Sequence, residues 1–176
     1  SLSCSAGQVS EWNGSTCGRG TGGGAGAQVA FSVHKNGTNQ TVTSGVTTQL
    51  TWSTEVFDTN NNFNTATGAF TPTVAGKYLI TLTVYCQDNA NYCQGFIYKN
   101  GANYGGTFTR TNAASNSATA MIDMNGTTDT ISAYVHNNGG TIINGSAVNT
   151  NFSGILIGGG AGGSDTLAGL SCAAGE

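Results

Sequence analysis

Apolar and polar residues alternate with a period of two along much of this chain, and the longest such run frames the rest. Within 78–85, Tyr78, Ile80, Leu82 and Val84 fall on one face of an extended chain, while Thr81, Thr83 and Tyr85 fall on the other. That is the signature of a half-buried strand. Upstream, Leu50, Trp52, Thr54 and Val56 alternate against Gln49, Thr51, Ser53 and Glu55 and predict a second strand. Between the two lie Asn60, Asn61, Asn62, Gly68, Pro72 and Gly76, which supply left-handed or fixed backbone angles and so punctuate strands. The same alternation predicts strands at 29–33, 95–98, 118–124, 131–135 and 152–157, with Asn-Gly turns at Asn36-Gly37, Asn100-Gly101 and Asn125-Gly126. No window carries a capped apolar stripe of helical period, so almost no helix is expected. Many short strands at fairly regular spacing indicate an all-β sandwich or barrel.

The closing strand departs from simple alternation. Phe152, Gly154 and Leu156 share one face, but the other carries Ile155 and Ile157. A sandwich strand needs only one apolar face, so the second is expected to be covered by another subunit, most simply in a closed cyclic assembly.

Composition narrows the partners. Charged residues make up 7% of the chain, against roughly a quarter in ordinary globular domains, so Asn, Thr, Ser and Gly must keep it in solution. That surface suits an extracellular, cell-surface or virion-surface protein. A net charge of -3 with five Lys and Arg leaves no basic patch, and neither nucleic acid nor an anionic membrane is an expected partner. The apolar run Ile155-Leu156-Ile157 is far short of the roughly 20 residues of a membrane-spanning helix, and no membrane insertion is expected.

Five segments follow from these shifts. Residues 1–17 form a small Cys-bounded module, 18–27 a Gly-rich linker, 28–157 the β domain, 158–168 a second Gly-rich linker, and 169–176 the start of a repeated module. The last assignment rests on Leu2-Ser3-Cys4-Ser5-Ala6-Gly7-Gln8 reappearing as Leu170-Ser171-Cys172-Ala173-Ala174-Gly175-Glu176, identical at five of seven positions. The chain is therefore expected to be a slice of a tandem array. Cys4, Gly7, Gln8, Val9, Trp12, Asn13, Gly14 and Ser15 resemble a short module that recurs in bacterial and phage surface-fibre proteins.

Candidate chemistry is sparse. Of the five cysteines, Cys86 and Cys93 sit at the end of one strand and the start of the next and are candidates for a disulfide across a tight connection. Cys4 with Cys17 is the next candidate pair, leaving Cys172 as an inter-unit thiol; alternatively Cys172 reaches Cys4 or Cys17. His34 and His136 lie on separate predicted strands and both read as solvated strand ends, so no metal site is expected. No nucleophile elbow, zinc-protease motif or distinctive carboxylate pair is present, and no catalytic residue or cofactor is assigned. Asp58 reads as a turn cap.

Ordered motifs complete the picture. They are Ala30-Phe31-Ser32, Phe57-Asp58, Phe63-Asn64, Gly68-x-Phe70, Pro72-x-Val74-Ala75-Gly76-x-Tyr78, Asp129, and Phe152-Ser153-Gly154-x-Leu156-Ile157. By these the chain from about residue 30 to 157 resembles the globular-head domain of complement component 1q, with its tumour-necrosis-factor-like jelly roll, in a bacterial or phage type. The resemblance implies two antiparallel sheets in jelly-roll order, a tight homotrimer and binding without catalysis. Phe31, Phe57, Phe70, Tyr78, Phe152 and Leu156 are then core or trimer-packing candidates. Some relatives bind calcium, but no acidic cluster here matches, and no metal residue is carried over. The expected function is a trimeric, non-enzymatic module of an extracellular or virion surface fibre, in recognition or adhesion. Its ligand, glycan or protein, would meet the loops 103–116 and 137–150. The alternative is a structural unit that polymerises into a filament through its terminal repeats and Cys172.

Overall fold

The computed structural model describes residues 10–12, 17–19, 28–87, 91–109 and 114–158, with no helix among them. Strands β1 (Ser10–Trp12) and β2 (Cys17–Arg19) pair antiparallel, Trp12 opposite Cys17, and belong to a small unit of their own. The pairing therefore runs past Cys17 into the stretch read from sequence as linker. Cys4 and Cys172 lie outside the described residues, as do the pairings drawn for them and the repeated module at 169–176.

The main body begins at Gln28. It runs through β3 (Ala30–His34), β4 (Gln40–Thr41), β5 (Thr47–Gln49), β6 (Thr54–Asp58), β7 (Phe63–Asn64) and β8 (Ala69–Phe70). It continues through β9 (Gly76–Gln87), β10 (Tyr92–Lys99), β11 (Ala102–Thr109), β12 (Ala114–Met124), β13 (Ile131–Asn138), β14 (Ile142–Ile143) and β15 (Asn151–Gly158). A seven-stranded sheet sets β12, β9, β15, β3 and β6 side by side, with β14 and β4 attached at the far end of β9. A six-stranded sheet runs β11, β10, β13, β8 and β7, with β5 also paired to β13. First and last strands of the body are neighbours and every pairing is antiparallel, which is jelly-roll connectivity.

The core lies between the sheets, where alternation puts it. Tyr78, Ile80, Leu82, Val84 and Cys86 of β9 are fully buried against Cys93, Ile97, Ile131, Ala133 and Val135 of the other sheet. At one end the rings of Phe31, Phe63, Phe70, Phe152 and Trp52 gather, with Phe31 within 5.1 Å of three of them by ring centre. Gly154 sits opposite Phe31 in the ladder, and an added Cβ there would come within 2.5 Å of the Phe31 ring and 2.6 Å of Ile80. Glycine at this strand position admits the large ring. The Asn36-Gly37 and Asn100-Gly101 turns hold both residues at positive φ, as two-residue hairpin turns require.

Cys86 and Cys93 are joined, with Cα atoms 5.8 Å apart. The bond ties the end of β9, in one sheet, to the start of β10, in the other. Replacing both cysteines by alanine is expected to remove about 2–3 kcal/mol, the loop-closure entropy of so short a ring. Denaturant unfolding of oxidised wild type against the double variant measures it; a loss below about 1 kcal/mol would show the connection to be held by its strands alone.

Three stretches differ from the sequence-based expectation, and one candidate is sorted outward. The strand drawn through Gln49 to Val56 is instead the end of β5, a connection at 50–53 and the start of β6, in two different sheets. Leu50 N donates to Ala133 O at 2.9 Å on the β13 side, and by Ser53 the chain bonds His34 O on β3, so the stretch crosses between layers. Phe57, a core or trimer-packing candidate, is 47% exposed and pairs with Ser32 on the outer face, next to a bulge that skips Val56. His136 is part of β13 and not a solvated end: Thr47 Oγ1 and Tyr92 Oη lie 3.1 Å from its two ring nitrogens. Residues 103–116, drawn as a loop, are mostly β11 and the start of β12.

Candidate functional site

Two acidic residues of the body, Asp58 and Asp129, are engaged in turns, while Asp123 pairs with Lys77 across β12 and β9 at 2.7 Å. Asp58 Oδ2 accepts from Phe63 N at 2.6 Å, as a cap does. Asp129 accepts from the Asn100 side chain at 2.8 Å and pairs with Lys99 at 3.0 Å, locking the 100–101 turn to the 125–129 turn. Those hydrogen bonds from Asn100 and Lys99 hold its carboxyl below the ordinary range. Among the described residues no three His, Cys, Asp or Glu side chains come together as a metal site would need.

The two outer faces carry more information. On the seven-stranded sheet, Met121, Leu79 and Ile155 stand in one row across β12, β9 and β15. Met121 is 56% exposed, Ile157 48% and Ile155 39%. Phe57 faces outward one row away. Phe31, Phe70, Tyr78 and Phe152 are fully buried instead, and Leu156 packs against the core from its edge. The structure thus divides the aromatic and aliphatic candidates into a core set and an outward set.

On the six-stranded sheet the inward residues of β10 are Cys93, Gly95 and Ile97, which leaves Tyr92, Gln94, Phe96 and Tyr98 facing out. From β13, Ser132, Tyr134 and His136 face the same way. Tyr98 and Tyr134 stack at 4.1 Å between ring centres, Tyr92 and His136 at 5.5 Å with planes 7° apart, and Phe96 meets Tyr98 at 6.4 Å edge to face. An added Cβ on Gly106 would lie 2.5 Å from the Phe96 ring, so that ring rests directly on the glycine backbone of β11. Beside it runs a groove of about 410 Å³ lined by Gln94, Phe96, Asn103, Tyr104, Gly106 and Thr107. The strand expected at 95–98 begins at Gly95 and so covers only part of this face, which the Tyr92-x-Gln94-x-Phe96-x-Tyr98 spacing marks in full.

Lys35, also missed, is buried at 2% exposure. Its Nζ donates to Gln40 Oε1 at 2.5 Å and to Thr51 O and Oγ1 at 2.6 and 3.1 Å, and lies 5.5 Å from the centre of the Trp52 ring. Burial pulls its ammonium group down to about 8.

Comparison with known proteins accounts for the architecture. The C1q domain family model matches residues 30–157. No curated protein sequence matches the chain. Among solved structures it is similar to the globular domain of zebrafish complement 1qA protein, at 16% identity and TM-score 0.58, covering 76% of this chain and 99% of that one. It is also similar to murine APRIL, at 11% identity and TM-score 0.60 over 74% of this chain and 99% of the other. For the Eiger TNF of S. frugiperda the figures are 13%, 0.59, 80% and 99%.

Proposed function

Because the chain belongs to the C1q domain family, we propose that it is a non-enzymatic, extracellular recognition module that works as a homotrimer in a surface fibre. The observation that carries the assembly is the outward row Met121, Leu79 and Ile155, joined by Ile157 and Phe57. An antiparallel sheet facing water has polar residues outside; here large apolar groups occupy positions flanked by Ser and Thr. A threefold assembly covers such a face with the same chain, using closed symmetry. The Cys86–Cys93 disulfide and the scarcity of charge support an oxidising, extracellular setting. No helix among the described residues is long and apolar enough to cross a membrane.

The test is mass in solution. Wild type at micromolar concentration should sediment as three chains, and Ile155→Lys, at a site already exposed in the single chain, as one folded chain. A wild-type monomer, or a trimer indifferent to Ile155→Lys and Met121→Lys together, would overturn the assignment. The filament reading is favoured by one observation, the matching segments at Leu2 and Leu170. Non-reducing electrophoresis separates the two: ladders beyond three chains that collapse on reduction would favour polymerisation through Cys172.

A further inference from the structure

The outer face of the six-stranded sheet combines features that a merely solvated face does not need. Four large aromatic residues, Tyr92, Phe96, Tyr98 and Tyr134, stand outward from β10 and β13, the interior strands of that sheet. Their rings are fixed by each other and by His136, so little side-chain freedom is left to lose on binding. Phe96 lies against Gly106, its Cδ1 and Cε1 atoms nearest to where a Cβ would stand. Around the rings the outward positions hold amides and hydroxyls: Gln94, Gln49, Thr47 and Asn103 pair in register with His136, Tyr134 and Tyr98. No Asp, Glu, Lys or Arg occupies an outward position in these rows. Gln49 is committed to Thr67 O at 2.8 Å, but no hydrogen bond among the described residues engages the side-chain amides of Gln94 and Asn103.

We propose that this face is a carbohydrate-binding site for an uncharged glycan, centred on Phe96 and the Tyr98–Tyr134 pair. A pyranose ring presents C–H groups on one face and hydroxyls around its equator. The C–H face matches the negative π-face of an aromatic ring, and each hydroxyl both donates and accepts, as an amide does with its two ends. Aromatic surface beside open amides supplies both, and the groove along Gly106 has the size of a small-ligand site. Absence of charge on the face fits a neutral sugar and disfavours phosphate, sulfate or uronate. A protein partner would call for an interface above roughly 1,000 Å² with an apolar centre. The proposal rests on the recognition reading above and names its site and ligand class. It lies on the sheet opposite the row proposed for the trimer contact, joined to that row where Tyr104 of the groove donates to Met121 O at 3.3 Å, and in a trimer three sites would act together.

Affinity electrophoresis through gels cast with a neutral β-glucan, a mannan or a galactan tests it, with dextran sulfate as the charged counterpart. Retardation by at least one neutral polymer is expected. Phe96→Ala and Gln94→Ala should each weaken it by about tenfold or more, with trimer mass and thermal midpoint preserved. The Ile155→Lys monomer should keep its weaker single-site binding. Absence of retardation in all three neutral gels overturns the proposal, as does retardation that survives Phe96→Ala with Tyr98→Ala, or retardation by dextran sulfate alone. A trimer that binds no sugar sinks only this site; a monomer that binds sugar through Phe96 sinks only the assembly.

Discussion

Replacing Phe31 by alanine is expected to cost about 3–5 kcal/mol, at the upper end of what a single core truncation removes. Phe31 is fully buried on β3 of the seven-stranded sheet. Its ring meets Phe70 at 4.3 Å and Phe63 at 5.1 Å, both from the six-stranded sheet, and Phe152 at 5.1 Å from the neighbouring strand. Alanine would remove the ring that joins the layers, and the cavity could not collapse easily. Gly154 opposite has no side chain to move in, and Phe63, Phe70 and Phe152 are held by their own strands. Against a total of roughly 5–15 kcal/mol for a domain, the variant would be close to unfolding. Denaturant unfolding at fixed protein concentration measures it, since assembly makes the midpoint concentration-dependent. Phe31→Leu should cost less, because most of the volume returns. A loss below about 1 kcal/mol for Phe31→Ala would mean that the aromatic cluster does not couple the sheets.

What the sequence disclosed followed from what a period of two can encode. It tells inward from outward, so the β9 core face and the two Asn-Gly turns with positive φ were readable in advance. It does not tell which sheet a strand joins. Leu50 and Trp52 are both buried, as the alternation says, yet the chain changes sheets at that point, between partners Ala133 and His34 that are remote in sequence. For Phe57 the alternation leaves core and assembly contact open, and only its pairing opposite Ser32, next to a bulge at Val56 of its own strand, puts it outward. The aromatic face was hidden because outward aromatics read as core when only one strand is considered. Tyr98 and Tyr134 become a pair only once β10 and β13 are neighbours. Lys35 carries no local mark of burial beside its Asn-Gly turn, because that burial depends on Gln40 and Thr51, which its ammonium group meets only in the fold.

That burial carries a measurable consequence: stability should rise with pH between about 8 and 10 and fall again above that. Lys35 has neutral oxygen partners and a Trp52 ring but no carboxylate, and its ammonium group is drawn from the ordinary 10.5 down to about 8 by loss of solvent. The unfolded chain keeps the ordinary value. Across the interval between those values the unfolded state therefore holds a proton that the folded state has released, and unfolding becomes harder as pH rises. Traversed in full, the interval is worth on the order of 3 kcal/mol. Tyr78 works in the opposite direction. Burial pushes its phenol from 10.0 up to about 12, so above its ordinary value the unfolded chain ionises first and stability is lost. The maximum should fall near pH 10. Denaturant midpoints from about pH 7 to about pH 11 trace the curve, and Lys35→Met isolates its rising limb. The methionine variant should be flat from pH 8 to 10 and no less stable than wild type at neutral pH, since removing a buried charge without a counter-ion relieves its desolvation cost. A rising limb that persists in Lys35→Met would assign it to another group. A flat wild-type curve would mean that Gln40 and Thr51 solvate the ammonium group as well as water does, and that its burial costs the fold nothing.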